Sequence, residues 1–244
     1  MKKTGISLIV ILLIGIYVVK EINLPDLDLE TDITQSNVLI KKPNWVITNK
    51  TSKNVYEISS YEAKQSGFED IFFIKDPFFK TTSNNIKRNE GTSKEAILVT
   101  SQKKLTMKSN VHLKLLKDKE ILELYTESIN FDLKNNFATS KSTVELKSEF
   151  FFLRGKEFEL IEGKKGEFSL SFIKADLEQK KEGKYQKFGR ADTIIMGDSS
   201  NILIMLGSAT ISLDSMKIEA DEIKYNYKDK VILSSKNPKL VNKT

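Results

Sequence analysis

The chain has 244 residues, 39% hydrophobic and 30% charged, with a formal net charge of +6, no cysteine and one histidine. The missing cysteine excludes disulfides, thiol chemistry, cysteine-held metals and a lipid-modified N-terminal cysteine, and His112 alone cannot build a zinc site. Lysine carries almost all the positive charge and is interleaved with Asp and Glu. The only arginines are Arg88, Arg154 and Arg190, which argues against nucleic-acid readout by arginine forks or basic clusters.

The first element is an apolar run. Lys2 and Lys3 precede residues Gly5 to Val19, which carry no charge, and Lys20 and Glu21 close the run. As a helix these fifteen residues rise about 22 Å at ~1.5 Å each, and lysine stems extend that reach toward the ~30 Å hydrocarbon core. No small-residue cleavage site follows in KEINLPD, so the run reads as a retained anchor rather than a removed signal peptide. Two lysines in a four-residue tail place that tail in the cytoplasm by the positive-inside rule, and the rest on the far side, the periplasm of a Gram-negative cell. Residues 1–4 are then a tail, 5–20 a transmembrane anchor and 21–36 an acidic tether, in which Pro25 disfavours helix.

From Asn37 onward the dominant period is two, the signature of strands. VHLKLL places Val111, Leu113 and Leu115 on one face. In EILELYTESINFDL, Ile121 falls in one parity class and Leu122 and Leu124 in the other, which predicts a bulge. STVELKSEFFFL, EFELIEG and EFSLSFIKADL continue the alternation, separated by polar or glycine-bearing turns such as KNN, RGK and EGKKG. Phe150 and Phe152 are expected on one face and Phe151 on the other. The pattern is all-β: a sandwich, jelly roll or open barrel.

The C-terminal third repeats. Arg190–Ser212 and Lys217–Ser235 each carry Ala-Asp, an apolar position, a polar turn and an apolar strand; Ala191-Asp192 and Ala220-Asp221 are 29 residues apart, with a weaker copy at Lys174-Ala175-Asp176. Such a period indicates a stacked supersecondary unit, with the alanine permitting close approach and the aspartate capping a turn.

KKPNWVITNKTSKNVYEISSYEAKQ, with Pro43, Trp45, Tyr56, Ile58 and Ala63 at the motif positions, resembles the lipopolysaccharide-export family LptC. The Ala-Asp segments are similar to repeats of the LptA/OstA-like bridge proteins, with Ala209 where those carry valine. The resemblance implies an open β-jellyroll on a single N-terminal transmembrane helix in the inner membrane, with residues 37–184 the LptC-like jellyroll and 185–244 bridge-like repeats continuing the same sheet. It implies lipopolysaccharide as cargo, an inner-membrane ATP-driven transporter as donor and a periplasmic bridge protein as acceptor. Groove candidates are Phe72, Phe150, Phe152, Phe158, Phe168, Phe172 and Ile204. A terminal hairpin, Ile218 to Lys228 and Val231 to Ser235, would offer a docking edge by strand addition, with Ile218, Ala220, Ile223, Tyr225 and Tyr227 on it; the alternative is a tail that folds back over that edge. No phosphate loop, nucleophile elbow or acid–base pair is visible, so no catalysis, cofactor or metal is expected. The competing reading is a bitopic scaffold of another envelope assembly, binding proteins only.

Overall fold

The computed structural model describes residues 38–66, 70–83, 86–117, 120–162, 168–197, 200–213 and 216–242. The expected tail, anchor and tether lie outside them, and among the described residues no helix is long and apolar enough to cross a membrane. Everything described is strand, turn or connection. In chain order the strands are β1 (Val38–Lys41), β2 (Asn44–Thr48), β3 (Asn54–Ser59), β4 (Glu62–Gln65), β5 (Ile71–Lys75), β6 (Phe78–Ser83), β7 (Ile86–Thr92), β8 (Glu95–Val99), β9 (Lys104–Lys117), β10 (Glu120–Asp132), β11 (Phe137–Ser140), β12 (Val144–Lys147), β13 (Phe151–Gly155), β14 (Glu157–Glu162), β15 (Phe168–Lys181), β16 (Lys184–Gly197), β17 (Ile202–Ser212), β18 (Met216–Asn226), β19 (Val231–Lys236) and β20 (Lys239–Asn242).

All pairings are antiparallel, and they resolve into two sheets. Six long strands, β9, β10, β15, β16, β17 and β18, run through both, and β9, β10, β15 and β18 change one neighbour between their two halves. Leu105 in the first half of β9 faces Leu98 of β8, whereas Leu113 in the second half faces Gly91 of β7. The first sheet therefore runs β1-β4-β5-β8-β9-β10-β11-β14-β15-β16-β17-β18-β19, and the second β2-β3-β6-β7-β9-β10-β12-β13-β15-β16-β17-β18-β20. The sheets stack face to face: Trp45 of the second meets Phe72 of the first at 5.1 Å, Phe79 meets Phe131 at 4.7 Å, and Phe188 meets Tyr225 at 4.9 Å.

The chain makes a hairpin in one sheet, crosses to the other, makes a hairpin there, and returns. The crossings line up as a spine along one side, and the hairpin turns form a rim opposite. Crossing requires the pleat to break, and the spine residues show how. Lys42, Asp76, Ser109, Asn110, Lys174, Gly207, Ser208 and Asn237 all have positive φ. Pro43, Pro77 and Pro238 directly follow three of them; lacking an N–H, proline ends ladder pairing at the bend. The bulge expected in β10 sits at this crossing, between Thr126 and Ser128. Leu122 and Leu124 point inward before it, and Ile129 and Phe131 after it.

The Ala-Asp repeat is a spine feature. Ala175 lies opposite Ala191, and Ala209 opposite Ala220, all four buried where the sheets converge and only a methyl fits. The 29-residue period is one hairpin in each sheet, from the crossing at Asp192 to that at Asp221; the weaker copy at Lys174 stands one crossing earlier. The aspartates are exposed and act between crossings. Asp221 accepts a hydrogen bond from Asn237 Nδ2 at 2.7 Å, and Asp192 packs over Gly207, where a Cβ would come within 2.6 Å of its Oδ2.

Candidate functional site: the space between the sheets

Strand alternation sends one apolar row from each strand into the inter-sheet space, forming one continuous cluster from Tyr56 to Tyr227. Phe158 and Phe172 are cross-strand partners in the first sheet, 5.2 Å apart and fully buried, and Phe168 is buried four pairs along, on the same face. Phe72 is half-buried and inward, beside Trp45.

Three expectations need correction. Phe150 and Phe152 do not share a face. Ser148 Oγ accepts the backbone N–H groups of Phe150 (3.0 Å) and Phe151 (3.1 Å), so the chain turns before β13 begins and alternation starts only at Phe151. Phe150 and Phe151 both reach Tyr227, at 5.9 and 4.9 Å, while Phe152 lies outside, against Tyr185. Ile204 is likewise on the outer face, between the fully buried Leu203 and Met205; the run ILIML is apolar on both faces, so its parity is not readable. Finally, Ile218, Ala220, Ile223 and Tyr225 are on β18, which is not an edge, and Tyr227 lies in the turn that follows it. β19 pairs with one half of β18 and β20 with the other, so the tail folds back over it. Tyr225 and Tyr227 point into the interior, where burial pushes the Tyr225 phenol up to about 12 and its hydroxyl is held by Gln179 Nε2.

The edges lie elsewhere. Among the described residues β1 pairs only with β4, β2 only with β3, and β19 and β20 only with β18. Each end of the sandwich thus presents two free edges with inward apolar side chains: Ile40, Trp45 and Ile47 at one end, Ile218, Ile232 and Leu240 at the other, with Leu240 68% exposed.

An open V was expected; the rim is instead closed by polar side chains, which periodicity does not reveal. At one place Asn49 Nδ2 donates to Leu133 O (3.2 Å), Lys134 O (2.7 Å) and Asn136 Oδ1 (2.9 Å). Beside it Glu162 accepts from Asn89 Nδ2 (2.6 Å), Tyr56 Oη (3.1 Å) and Asn54 Nδ2 (3.2 Å). Burial raises the Glu162 carboxyl above the ordinary glutamate range, the three donors only partly opposing it. At a second place the buried Lys117 donates to Ser200 O and Tyr227 Oη, both at 2.6 Å, and Lys228 lies 3.9 Å from Glu120. The interior holds a void of about 10 Å³ beside Glu162. A cavity of about 400 Å³ lies outside the sandwich among Tyr125, Phe152 and Tyr185. His112 is an outer-face residue, stacked on Tyr125 at 4.4 Å.

Residues 6–172 match the family model for LptC-related lipopolysaccharide-assembly proteins, and the match spans more than half of the chain. The chain belongs to this family. Membership gives it a role in lipopolysaccharide transport. The matched span ends within β15, and the two-sheet zigzag continues past it to Asn242 with no break in pairing. The family motif residues form the first inward row: Trp45 lies opposite Ile58 in β2–β3, and Ala63 opposite Ile40 in β1–β4. Among solved structures, the chain is similar to LptH of Pseudomonas aeruginosa, the LptA homologous periplasmic component of the lipopolysaccharide transport device. Identity is 17% over 52% of this chain and 99% of that one, with a TM-score of 0.45. A comparison with curated proteins gives no match.

Proposed function

We propose that this LptC-related protein is a non-catalytic conduit: the acyl chains of lipopolysaccharide travel between its two sheets while the polar part of the lipid stays at the rim. One observation carries the reading. The apolar interior is continuous from the β1/β2 end to the β19/β20 end, and at both ends its inward side chains, half-buried apart from the exposed Leu240, sit beside free backbone edges. Moving a fatty chain through water costs about 0.8 kcal/mol per exposed CH₂, and a covered apolar track removes that cost without chemistry. In this reading residues 5–20 anchor the protein in the inner membrane with residues 1–4 in the cytoplasm. An ATP-driven transporter docks at the β1/β2 end, and a periplasmic bridge jellyroll extends the sheets at β19 and β20 by strand addition. Free edges, ordinarily a liability, are then the joints of the assembly.

The protein-only scaffold remains the second reading because the interior is filled by its own side chains, Phe172 and Leu170 being fully buried. A photo-crosslinking amino acid separates the two. Placed at Leu160 or Phe172 in cells it is expected to capture lipopolysaccharide, while at Ile204 or Phe152 it should not. Crosslinks to proteins alone from the inward positions would establish the scaffold and end the conduit.

A further inference from the structure

We infer that lipid enters this sandwich sideways, through a rim that parts at two polar latches while the spine acts as the hinge. The inference rests on the conduit reading above, and the occupant it commits to is the acyl portion of a lipid.

On its inner side the spine is lined by short apolar side chains, Ala175, Ala191, Ala209 and Ala220, and its backbone is continuous, since the long strands run through it. The rim has no backbone continuity. There the sheets touch through hydrophilic groups at two places: Asn49, Asn54, Tyr56 and Asn89 against Asn136 and Glu162, and Lys117 and Glu120 against Ser200, Tyr227 and Lys228. A permanently shut sandwich gains more from apolar side chains at such positions, because buried charges lose their hydration.

The first latch is also incompletely satisfied. Asn54 Oδ1, Thr81 Oγ1, Ser83 Oγ and Asn89 Oδ1 are buried and without a hydrogen-bond partner. They lie together by register: Asn54 is opposite Ser83, and Tyr56, Thr81 and Asn89 follow across three strands. The void beside Glu162, about 10 Å³, holds one water at most. Tyr56 has a single proton for two acceptors, Asn136 Oδ1 at 2.7 Å and Glu162 Oε2 at 3.1 Å. Closed, these groups are under-bonded; parted, water reaches them all. Hydration thus opposes the packing that closes the rim, and this lowers the barrier to opening here relative to the spine. Both latches centre on an ionisable side chain, the half-buried Glu162 in one and the buried Lys117 in the other, that opening would hydrate further.

The missing cysteine makes the test clean. T51C and K134C, on turns that face each other across the first latch, leave every latch side chain intact. With spin labels at both sites, the full chain in nanodiscs is expected to give a short distance population and a longer one that grows when lipopolysaccharide is added. Bridging the two thiols with a short crosslinker should abolish lipopolysaccharide capture, and cleaving the bridge should restore it. A single short population under all conditions, or a bridged protein that captures lipid as well as the unbridged one, overturns the side entry. If the unbridged protein captures no lipid, the conduit reading fails on its own, and the distance populations still decide whether the rim parts.

Discussion

Phe172 and Ile204 look alike in the sequence, each an apolar residue in an apolar strand, and the fold gives them opposite fates. Phe172 is fully buried against Phe158 and beneath Gly155, whose Cβ position is 3.1 Å from its own. Truncation leaves a cavity in a packed interior, and Phe172→Ala is expected to lose about 3–5 kcal/mol in denaturant unfolding of the β-sandwich. Ile204→Ala, on the outer face, should lose only about 0.5 kcal/mol. At Glu162 the expectation concerns pH. Its carboxyl binds its proton more tightly in the folded protein than in the unfolded chain, because burial disfavours the charge. The native state therefore holds more protons than the unfolded one above the ordinary glutamate value of 4.5, and stability falls as pH rises through that window toward the raised native value. Glu162→Gln should flatten this slope, seen as a melting temperature that no longer drops between acid and neutral pH; an unchanged slope would assign the dependence to another group. The face of a residue in a strand apolar on both sides, and the pairing of a lone buried carboxylate, are set by distant chain segments and were not legible at this scale.

At the scale of elements the spine sets the tolerance of each strand. Gly189 in β16 lies so close to β17 that a Cβ would come within 2.6 Å of Thr210 O, a backbone atom that cannot turn away. Gly189→Ala should force β16 and β17 apart, at a cost of about 3 kcal/mol. Gly207 has φ +68, and a Cβ there would meet only the Asp192 side chain, its movable Oδ2 at 2.6 Å and its Cβ at 3.1 Å. Gly207→Ala is expected to cost about 1–2 kcal/mol, chiefly from the left-handed backbone. Equal losses in thermal melts of the two variants would mean that close approach is not what Gly189 provides. The strands of β9 and β10, the β10 bulge and the Ala-Asp period were visible beforehand because each is a local alternation or a local repeat. Phe150 and Phe152 do not share the face that alternation gives them, because Ser148 hydrogen-bonds the backbone and resets the register, a competition that period-two counting ignores.

For the whole molecule, the β19/β20 end can be tested by removal. These strands hold no buried side chain, so deleting residues 231–244 should leave the melting temperature of the rest nearly unchanged. The deletion replaces their edges with β18 and removes Ile232 and Leu240 from the exposed apolar end. On the conduit reading, capture of a bridge jellyroll by the full chain should then fail. Retained capture would place the joint at the β1/β2 end or on the outer face.

The sequence by itself determined that the body is all-β, that it repeats, that the chain opens on an apolar run between lysines, and that its motifs resemble the LptC family, which the family match then established. Those properties are written in neighbouring residues, as alternation, spacing and composition. Only the tertiary structure decided that the six long strands belong to two sheets at once, that the rim is shut by Glu162 and Lys117, and that among the described residues the free edges are β1, β2, β19 and β20. Each of these depends on contacts between residues tens of positions apart, such as Asn54 with Glu162 and Lys117 with Tyr227, and local periodicity carries no record of which distant strand a side chain will meet.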